Sequence, residues 1–589
     1  MLTERGRPLW LGRHGVFAAA HLPSLPVRTG VVLAPPFGWE EMASYPVRRE
    51  WASSLAERGW PVLRLDWPST GDSPGLPGDL DRLDAWCEAL EDAVEWLRAE
   101  TGVVRVATIG LSLGGLVAVE AIRRGVRCED LVLWPVHRDG RAFLRAERAL
   151  SSLQSARSPA DHEALPPGWL ESSGYVLAES TISTLQPVQG WIEAPSSLER
   201  VLLLDREGTA VDPAVIAGFR AAGTEVQTGR GEGYVAMIYA PHWPKAPFGV
   251  INQVAQWLVS APPGHAAETR VVASSHELRL TDAREYALEF PCERGAAFAI
   301  VTEPDRRDPT LPTLVLLPAW AERRSGPNRM WTEAARRAAA RGGAAVRLDL
   351  PGVGDSVGDR EWLANTLNVV DPVIVTEIRQ ILDQLDEAGL GTEFVLVGLS
   401  VGAYWAFRTV AADTRVLGAL AINPGVEALS PEQQASEVMR KIYFVLRPSW
   451  WRRIIRREVR LSSLVHLART TLRVRLASLR QSAIAKDTRS PLEKTLSEIG
   501  ERGAFLTLAA VGEERLDGVL TAEGLRERLL EWPRIQLVDL DSLDHNVRPI
   551  RAQRQVHTLI EELVSFTATA GGEASSTSVE DLTEHFVAD

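Results

Sequence analysis

Two serines stand in the same setting 288 residues apart: Ser112 in Gly110-Leu111-Ser112-Leu113-Gly114 and Ser400 in Gly398-Leu399-Ser400-Val401-Gly402. Each follows a short apolar run, "VRVATIG" or "EFVLVG", and precedes a segment with helical periodicity. A serine on a tight turn between strand and helix has its hydroxyl clear of the sheet, and small neighbours leave room for the turn. The amide of the next residue, Leu113 or Val401, can then face a developing oxyanion. A second amide donor is expected after the first long strand, at Phe37 in "PPFG" and Trp320 in "PAWA". The chemistry such a constellation could perform is nucleophilic attack on a carbonyl carbon.

The elements that must carry these turns occur twice. In the first half "GVVLAPPFG", "WPVLRLDWPSTGDS" and "VRVATIG" read as buried strands, separated by helices through "REWASSLAERG" and "LDAWCEALEDAVEWLRAE". In the second half "TLVLLPAW", "AAVRLDLPGVGDS" and "EFVLVG" alternate with "WTEAARRAAARG" and "DPVIVTEIRQILDQLDEAG". Continuous apolar runs alternating with helical segments predict a mostly parallel sheet covered on both faces. Asp72 and Asp355 are 283 positions apart, close to the spacing of the serines. The repeat is therefore a duplicated domain. A chain of 589 residues has room for two such cores. The expected division is a first domain over 1–262, a linker over 263–275 in the Pro/Gly-rich "SAPPGHAAETR", and a second domain over 276–566. The polar tail, 567–589, is expected to be disordered.

"GLSLGG" and "GLSVGA", with the turns "DWPSTGDS" and "DLPGVGDS", resemble the α/β-hydrolase family. The likeness covers about residues 8–260 and 276–566, with Ser69 replacing the usual first glycine of the Asp-x-x-Gly-x-Gly-x-Ser turn. "PPFGWEE", "LVLW", "GPNRMW" and "GAYWAF" further resemble bacterial two-domain hydrolases associated with specialised-metabolite gene clusters. The resemblance implies an α/β fold of two tandem α/β-hydrolase domains, each with a helical lid insertion, at about 138–195 and 427–500. It also implies catalytic triads in the chain order serine, acid, histidine.

A serine hydroxyl needs a base to become a useful nucleophile at neutral pH. On the family pattern His242, in the loop before the helix "INQVAQWL", is the first domain's base. His137 and His162 precede the expected acid and His265 lies in the linker, so they rank below it. Asp205 and Asp212 in "LLLDREGTAVDP" both qualify as the acid; Asp212 is favoured, though before Pro213 it could instead cap a helix. In the second domain His545 is the expected base. Glu513, Glu514 and Asp517 compete as its acid, with Glu514 favoured. His466 and His557 read as helix surface or packing residues.

The formal net charge of −13 argues against nucleic-acid binding. Three scattered cysteines fit neither a disulfide framework nor a metal site, and no cofactor is implied. "MLTERGRPLWLGRHG" lacks the apolar core of a signal peptide, so a cytoplasmic location is expected. The exception to the acidic balance is residues 440–486, with thirteen Arg or Lys and one acid, Glu458. Ile454, Ile455, Val459 and Leu461 recur there at helical spacing. Such a basic amphipathic lid could pair with the chain's own acids. It could also dock a CoA- or carrier-protein-linked acyl substrate, another acidic partner, or an anionic membrane with Trp450 and Trp451 at the interface. Two classes of function remain. One is a serine hydrolase acting on an ester or thioester, with acyltransferase or peptidase activity on the same scaffold. The other is a binding or scaffolding protein with one or both domains inactive.

Overall fold

The computed structural model describes residues 6–23, 29–79, 82–157, 165–193, 196–239, 244–262, 264, 269–365, 368–424, 489–512 and 516–572. The first sheet contains β1 (Arg7–Leu11), β2 (Val16–His21), β3 (Thr29–Ala34), β4 (Val62–Leu65), β5 (Arg105–Leu111) and β6 (Asp130–Trp134). After the hairpin β7 (Leu170–Ser172) and β8 (Tyr175–Leu177) it is completed by β9 (Arg200–Leu204) and β10 (Glu225–Gly229). Its order is β10-β9-β6-β5-β3-β4-β2-β1, and a short β11 (Ser274–Ser275), within the expected linker, adds to β1. The strands from β3 onward pair in parallel, whereas β2 joins β4 antiparallel. Every residue of β5 is buried, as expected for a strand covered on both faces. The lid region begins with the helix Gly140–Arg157 and also contains the β7–β8 hairpin, so it is not purely helical.

The second sheet repeats the plan. It comprises β12 (Glu277–Arg279), β13 (Ala283–Cys292), β14 (Gly295–Pro304), β15 (Thr313–Leu316), β16 (Ala345–Asp349) and the short β17 (Val357–Gly358). It continues with β18 (Phe394–Leu399), β19 (Val416–Ile422), β20 (Phe505–Val511) and β21 (Ile535–Leu540). The order β14-β16-β15-β18-β19-β20-β21 matches β2-β4-β3-β5-β6-β9-β10 strand for strand. Two tandem α/β domains are thus present. The basic segment 440–486 lies outside the described residues. Among the described residues, no helix is long and apolar enough to cross a membrane.

The "Gly-Asp-Ser" turns turn out to be where the two domains meet. Within each turn the leading carboxylate folds back onto an amide: Asp66 accepts from the Asp72 N–H at 3.0 Å, and Asp349 from the Asp355 N–H at 2.9 Å. A side chain at Gly71 or Gly354 would collide with that carboxylate, at 2.1 and 2.2 Å, and both residues have φ near +50°. Ser69 adopts φ +67° where the second domain has Gly352 at +93°, so the substitution keeps the conformation. The second aspartates then cross the interface reciprocally. Arg347 on β16 donates to Asp72, while Arg64 on β4 donates to Asp355 at 2.7 Å. Arg324 sits between them, 2.6 Å from Asp72 and 2.9 Å from Asp355, with its guanidinium against Phe17 of β2 and Phe298 of β14. Equivalent strands therefore face one another, in the manner of a two-fold dimer made within one chain.

Buried charges of this kind hold only while paired. Burial alone would raise the Asp72 carboxyl, but Arg324 and Arg347 outweigh it and hold it down to about 2. Its pKa is depressed on folding, so its stabilisation is present above the unfolded value near 3.8 and is lost as pH falls through about 2. Asp72→Asn is expected to destabilise the chain by about 3–5 kcal/mol, the usual cost of stranding a buried partner. Chemical denaturation checks this, and an unchanged midpoint would contradict it.

Candidate active sites

The strained serine turns have the same backbone in both domains. Ser112 has φ 49°, ψ −115° and Ser400 φ 57°, ψ −115°, a region that costs a non-glycine residue about 1–3 kcal/mol. The flanking glycines are required sterically. A Cβ at Gly110 would lie 2.5 Å from Gly115, and one at Gly114 2.4 Å from the carbonyl of Ala34. The turns are tied to the neighbouring strand, with the Ser112 N–H donating to Trp134 O (3.1 Å) and the Ser400 N–H to Ile422 O (2.8 Å). Leu113 and Val401 each open the helix that follows, Leu113–Arg123 and Val401–Ala412. Their amides therefore belong to a helix N-terminus, where negative charge is stabilised.

In the first domain the Ser112 hydroxyl lies 3.0 Å from Nε2 of His137. This histidine, ranked low on sequence, follows β6 directly. β5 and β6 are parallel and pair Leu111 with Trp134, so the residues just beyond both strand ends share one edge of the sheet. That register was the signal that could have found it. His242, favoured on sequence, lies outside the described residues. Phe37 sits at the start of the helix Gly38–Glu57, its ring edge-on to Tyr175 of the lid hairpin.

The two carboxylates considered for the first triad have other tasks. Asp212 caps the helix Pro213–Ala221 by accepting from the Ala214 N–H at 2.8 Å, and it approaches Arg138 at 3.5 Å. Asp205 shapes the turn after β9, accepting from the Gly231 N–H at 2.8 Å. The carboxyl nearest the Ser112 hydroxyl among the described residues is Glu40, which sequence reasoning missed. It stands beside the Ser112 hydroxyl and accepts from Tyr234 Oη at 2.9 Å. Burial raises the Glu40 carboxyl above its ordinary range, only partly offset by those two hydroxyls and by Arg206. Beside the serine a small cavity of about 10 Å³ is lined by Leu116, Val119, Leu133, Pro135 and Val136.

Burial, reinforced by the positive charge of Arg206, pushes the His137 imidazole down to about 4. A neutral ring accepts a proton and an imidazolium does not. If His137 is the base, the labelling rate of Ser112 by a fluorophosphonate should hold its neutral-pH value down to about pH 5 and fall tenfold per unit below about 4. A base with the ordinary histidine value near 6.5 would lose the rate two units earlier. Measuring the rate constant between pH 3.5 and 8 separates the two.

In the second domain His545 Nε2 lies 3.0 Å from the Ser400 hydroxyl. The loop carrying it follows β21 and is anchored by Asn423, whose Nδ2 donates to the His545 carbonyl at 2.7 Å. Asn423 Oδ1 accepts from the Val511 N–H at 2.9 Å, so one buried side chain joins the ends of β19 and β20 to the histidine loop. Asp544 pairs with Arg548 at 2.6 Å, and Asp517 is on the surface with Arg526 at 2.7 Å, so Asp517 serves an ion pair there. Glu513 and Glu514 lie outside the described residues. Trp320, expected to offer an oxyanion donor, instead turns its amide onto Pro318 O at 3.0 Å with φ +62°. The tight turn at that residue directs the N–H back into its own loop. Buried Glu322 is pushed up to about 8 by burial, against the attraction of Arg548 and with Asp544 adding to the rise.

Residues 42–140 match the family described as "Serine aminopeptidase, S33", and residues 314–557 match the "Alpha/beta hydrolase family". The matched stretches contain Ser112 with His137 and Ser400 with His545, respectively. No curated protein matches the chain. Among solved structures, proline iminopeptidase of Mycobacterium smegmatis is similar at 13% identity, over 48% of this chain and 99% of that one, with a TM-score of 0.29. An esterase of Pyrococcus furiosus is 14% identical over 47% of this chain and 92% of its own, with a TM-score of 0.29. Dienelactone hydrolase of Anabaena variabilis is 13% identical over 48% and 98%, with a TM-score of 0.31.

Proposed function

Since the chain is an α/β-hydrolase protein with two domains, we propose that it is a serine hydrolase cleaving a carboxylic ester or thioester through an acyl-enzyme. The observation that carries this reading is the Ser–His contact of 3.0 Å in both domains, each on a strained strand-to-helix turn. In the first domain Ser112 Oγ attacks the carbonyl carbon as His137 Nε2 takes its proton. The Leu113 and Phe37 amides stabilise the oxyanion, and the imidazolium returns the proton to the leaving group. Water then attacks the acyl-enzyme by the same route and restores Ser112. A positioned base of this kind contributes about 10²–10⁴-fold. Leu116, Val119 and Leu133 beside Ser112 are apolar, which suits an acyl chain more than a charged group. An alcohol or amine in place of water would make the same site an acyltransferase.

A peptidase reading is favoured by one feature, the partly buried Glu40 carboxyl beside Ser112. An ammonium group on the substrate would favour the ionised form of this carboxyl and pair with it, any proton released passing to solvent. Turnover of a short p-nitrophenyl ester against an aminoacyl p-nitroanilide separates these readings. The primary test is fluorophosphonate labelling with peptide mapping. Adducts on Ser112 and Ser400 are expected, and a folded protein that takes no label refutes the proposal.

A further inference from the structure

The segments bearing the expected oxyanion donors, Phe37–Glu41 after β3 and Trp320–Arg324 after β15, occupy equivalent places in the two domains and touch each other across the interface. Arg323 makes the join. Its Nη2 donates to Glu41 Oε1 at 3.0 Å and its Nη1 to both oxygens of Asp66, at 3.0 and 2.8 Å. The guanidinium lies 4.1 Å over the Tyr45 ring, and its side chain is 2% exposed. On one side of this link, Glu41 adjoins Glu40, which stands beside the Ser112 hydroxyl and accepts from Tyr234 Oη at 2.9 Å. On the other, Arg323 adjoins Glu322, which feels the charges of Arg548 and Asp544 beside His545. The second domain also reaches the first site directly. The Arg548 guanidinium lies 5.8 Å from the Trp39 ring centre, and the Arg548 carbonyl packs against Gly174, next to the Tyr175 that abuts Phe37.

Resting on the reading of Ser112 and Ser400 as nucleophiles, we propose that Arg323 is a positioning residue for both serine sites. It fixes the Phe37–Glu41 segment, with the Phe37 amide, against the Trp320–Arg324 segment, whose Glu322 feels the charges of Arg548 and Asp544 beside His545, so neither site holds its geometry alone. Without this guanidinium, Asp66 and Glu41 face each other as buried acids, and the Glu41 charge makes Asp66 harder to ionise. Glu41 would then follow its remaining partner Arg48, at 2.5 Å, and draw residues 37–41 away from the serine. Donor placement is unforgiving, since a displacement of about 1 Å costs roughly 10²-fold in rate.

The test uses the full chain and a fluorophosphonate in excess. Rate constants are read at Ser112 in a Ser400→Ala background and at Ser400 in a Ser112→Ala background. Arg323→Gln should slow both by about 10- to 100-fold while the final extent of labelling stays complete. A fraction of irreversibly misfolded chains would lower the extent and leave the rate constant of the rest unchanged, and a melting curve shows whether the variant is folded at the assay temperature. Arg323→Lys, which keeps the charge without the fork, should slow both by about 3- to 10-fold, and it carries the test if the Gln variant does not fold. Arg336→Gln removes interface bonds to Asp72 O and Ser73 O without touching either segment, and should change neither rate. Rates equal to the parent in the Arg323 variants, or equal slowing in Arg336→Gln, overturn the proposal. A parent chain that takes no label refutes the nucleophile reading and the proposal with it.

Discussion

Ser112→Ala in a Ser400→Ala background is expected to lower turnover of a short p-nitrophenyl ester by about 10⁴–10⁶-fold, with the melting temperature nearly unchanged. The magnitude follows from removing the atom that forms the covalent intermediate, after which only binding and oxyanion stabilisation remain. Stability should be spared because the turn is held by backbone. The Ser112 N–H still reaches Trp134 O, and the Ser112 carbonyl still accepts from the Gly115 N–H at 3.0 Å. The glycines that make the turn sterically feasible are untouched. Only the contact of the hydroxyl with His137, and its polar neighbourhood with Glu40, are lost. A residual rate within tenfold of the parent would mean that the chemistry lies elsewhere, and a large fall in melting temperature would make the loss structural.

In the second domain, His545→Gln and Ser400→Ala should each abolish labelling or turnover at that site to the same floor, and the double variant should go no lower. Nucleophile and base that act as one unit fail together, so their effects do not add; in a well-studied serine protease either loss alone costs on the order of 10⁶-fold. The experiment belongs in a Ser112→Ala background, so that the first site contributes nothing. Additive losses would mean that the 3.0 Å contact between His545 and Ser400 is packing and not proton transfer. Should Ser400 take no label while Ser112 does, the second domain would act through the interface alone, with Arg323 serving the first site only.

Much of this protein could be read without coordinates, and the reason is local. The serine turns, the Gly-Asp-Ser turns and the alternation of apolar runs with helical segments are properties of a few adjacent residues. Steric room at glycine and the periods of strand and helix therefore act on the sequence directly. The repeat of those signals at matching offsets was enough to place two domains and two serine turns between strand and helix. His545 was legible for the same reason, being the histidine on the loop before the last helix.

What tertiary structure alone decided concerns partners. An aspartate before Pro213 looks the same in sequence whether it orients a histidine or caps a helix, and here Asp212 caps. His137 reaches Ser112 because β5 and β6 run parallel in register and end at one edge, a fact of strand order and not of spacing along the chain. Glu40 and Tyr234, 194 residues apart, meet only once the helix Gly38–Glu57 and the loop after β10 are packed over the sheet. Arg64, Arg323, Arg324 and Arg347 read as ordinary charges, yet each is buried against an acid of the other domain. Periodicity and turn chemistry are short-ranged, so a sequence displays them. The partner of a charge or a base is set by which strand ends and faces converge, and only the folded chain fixes that.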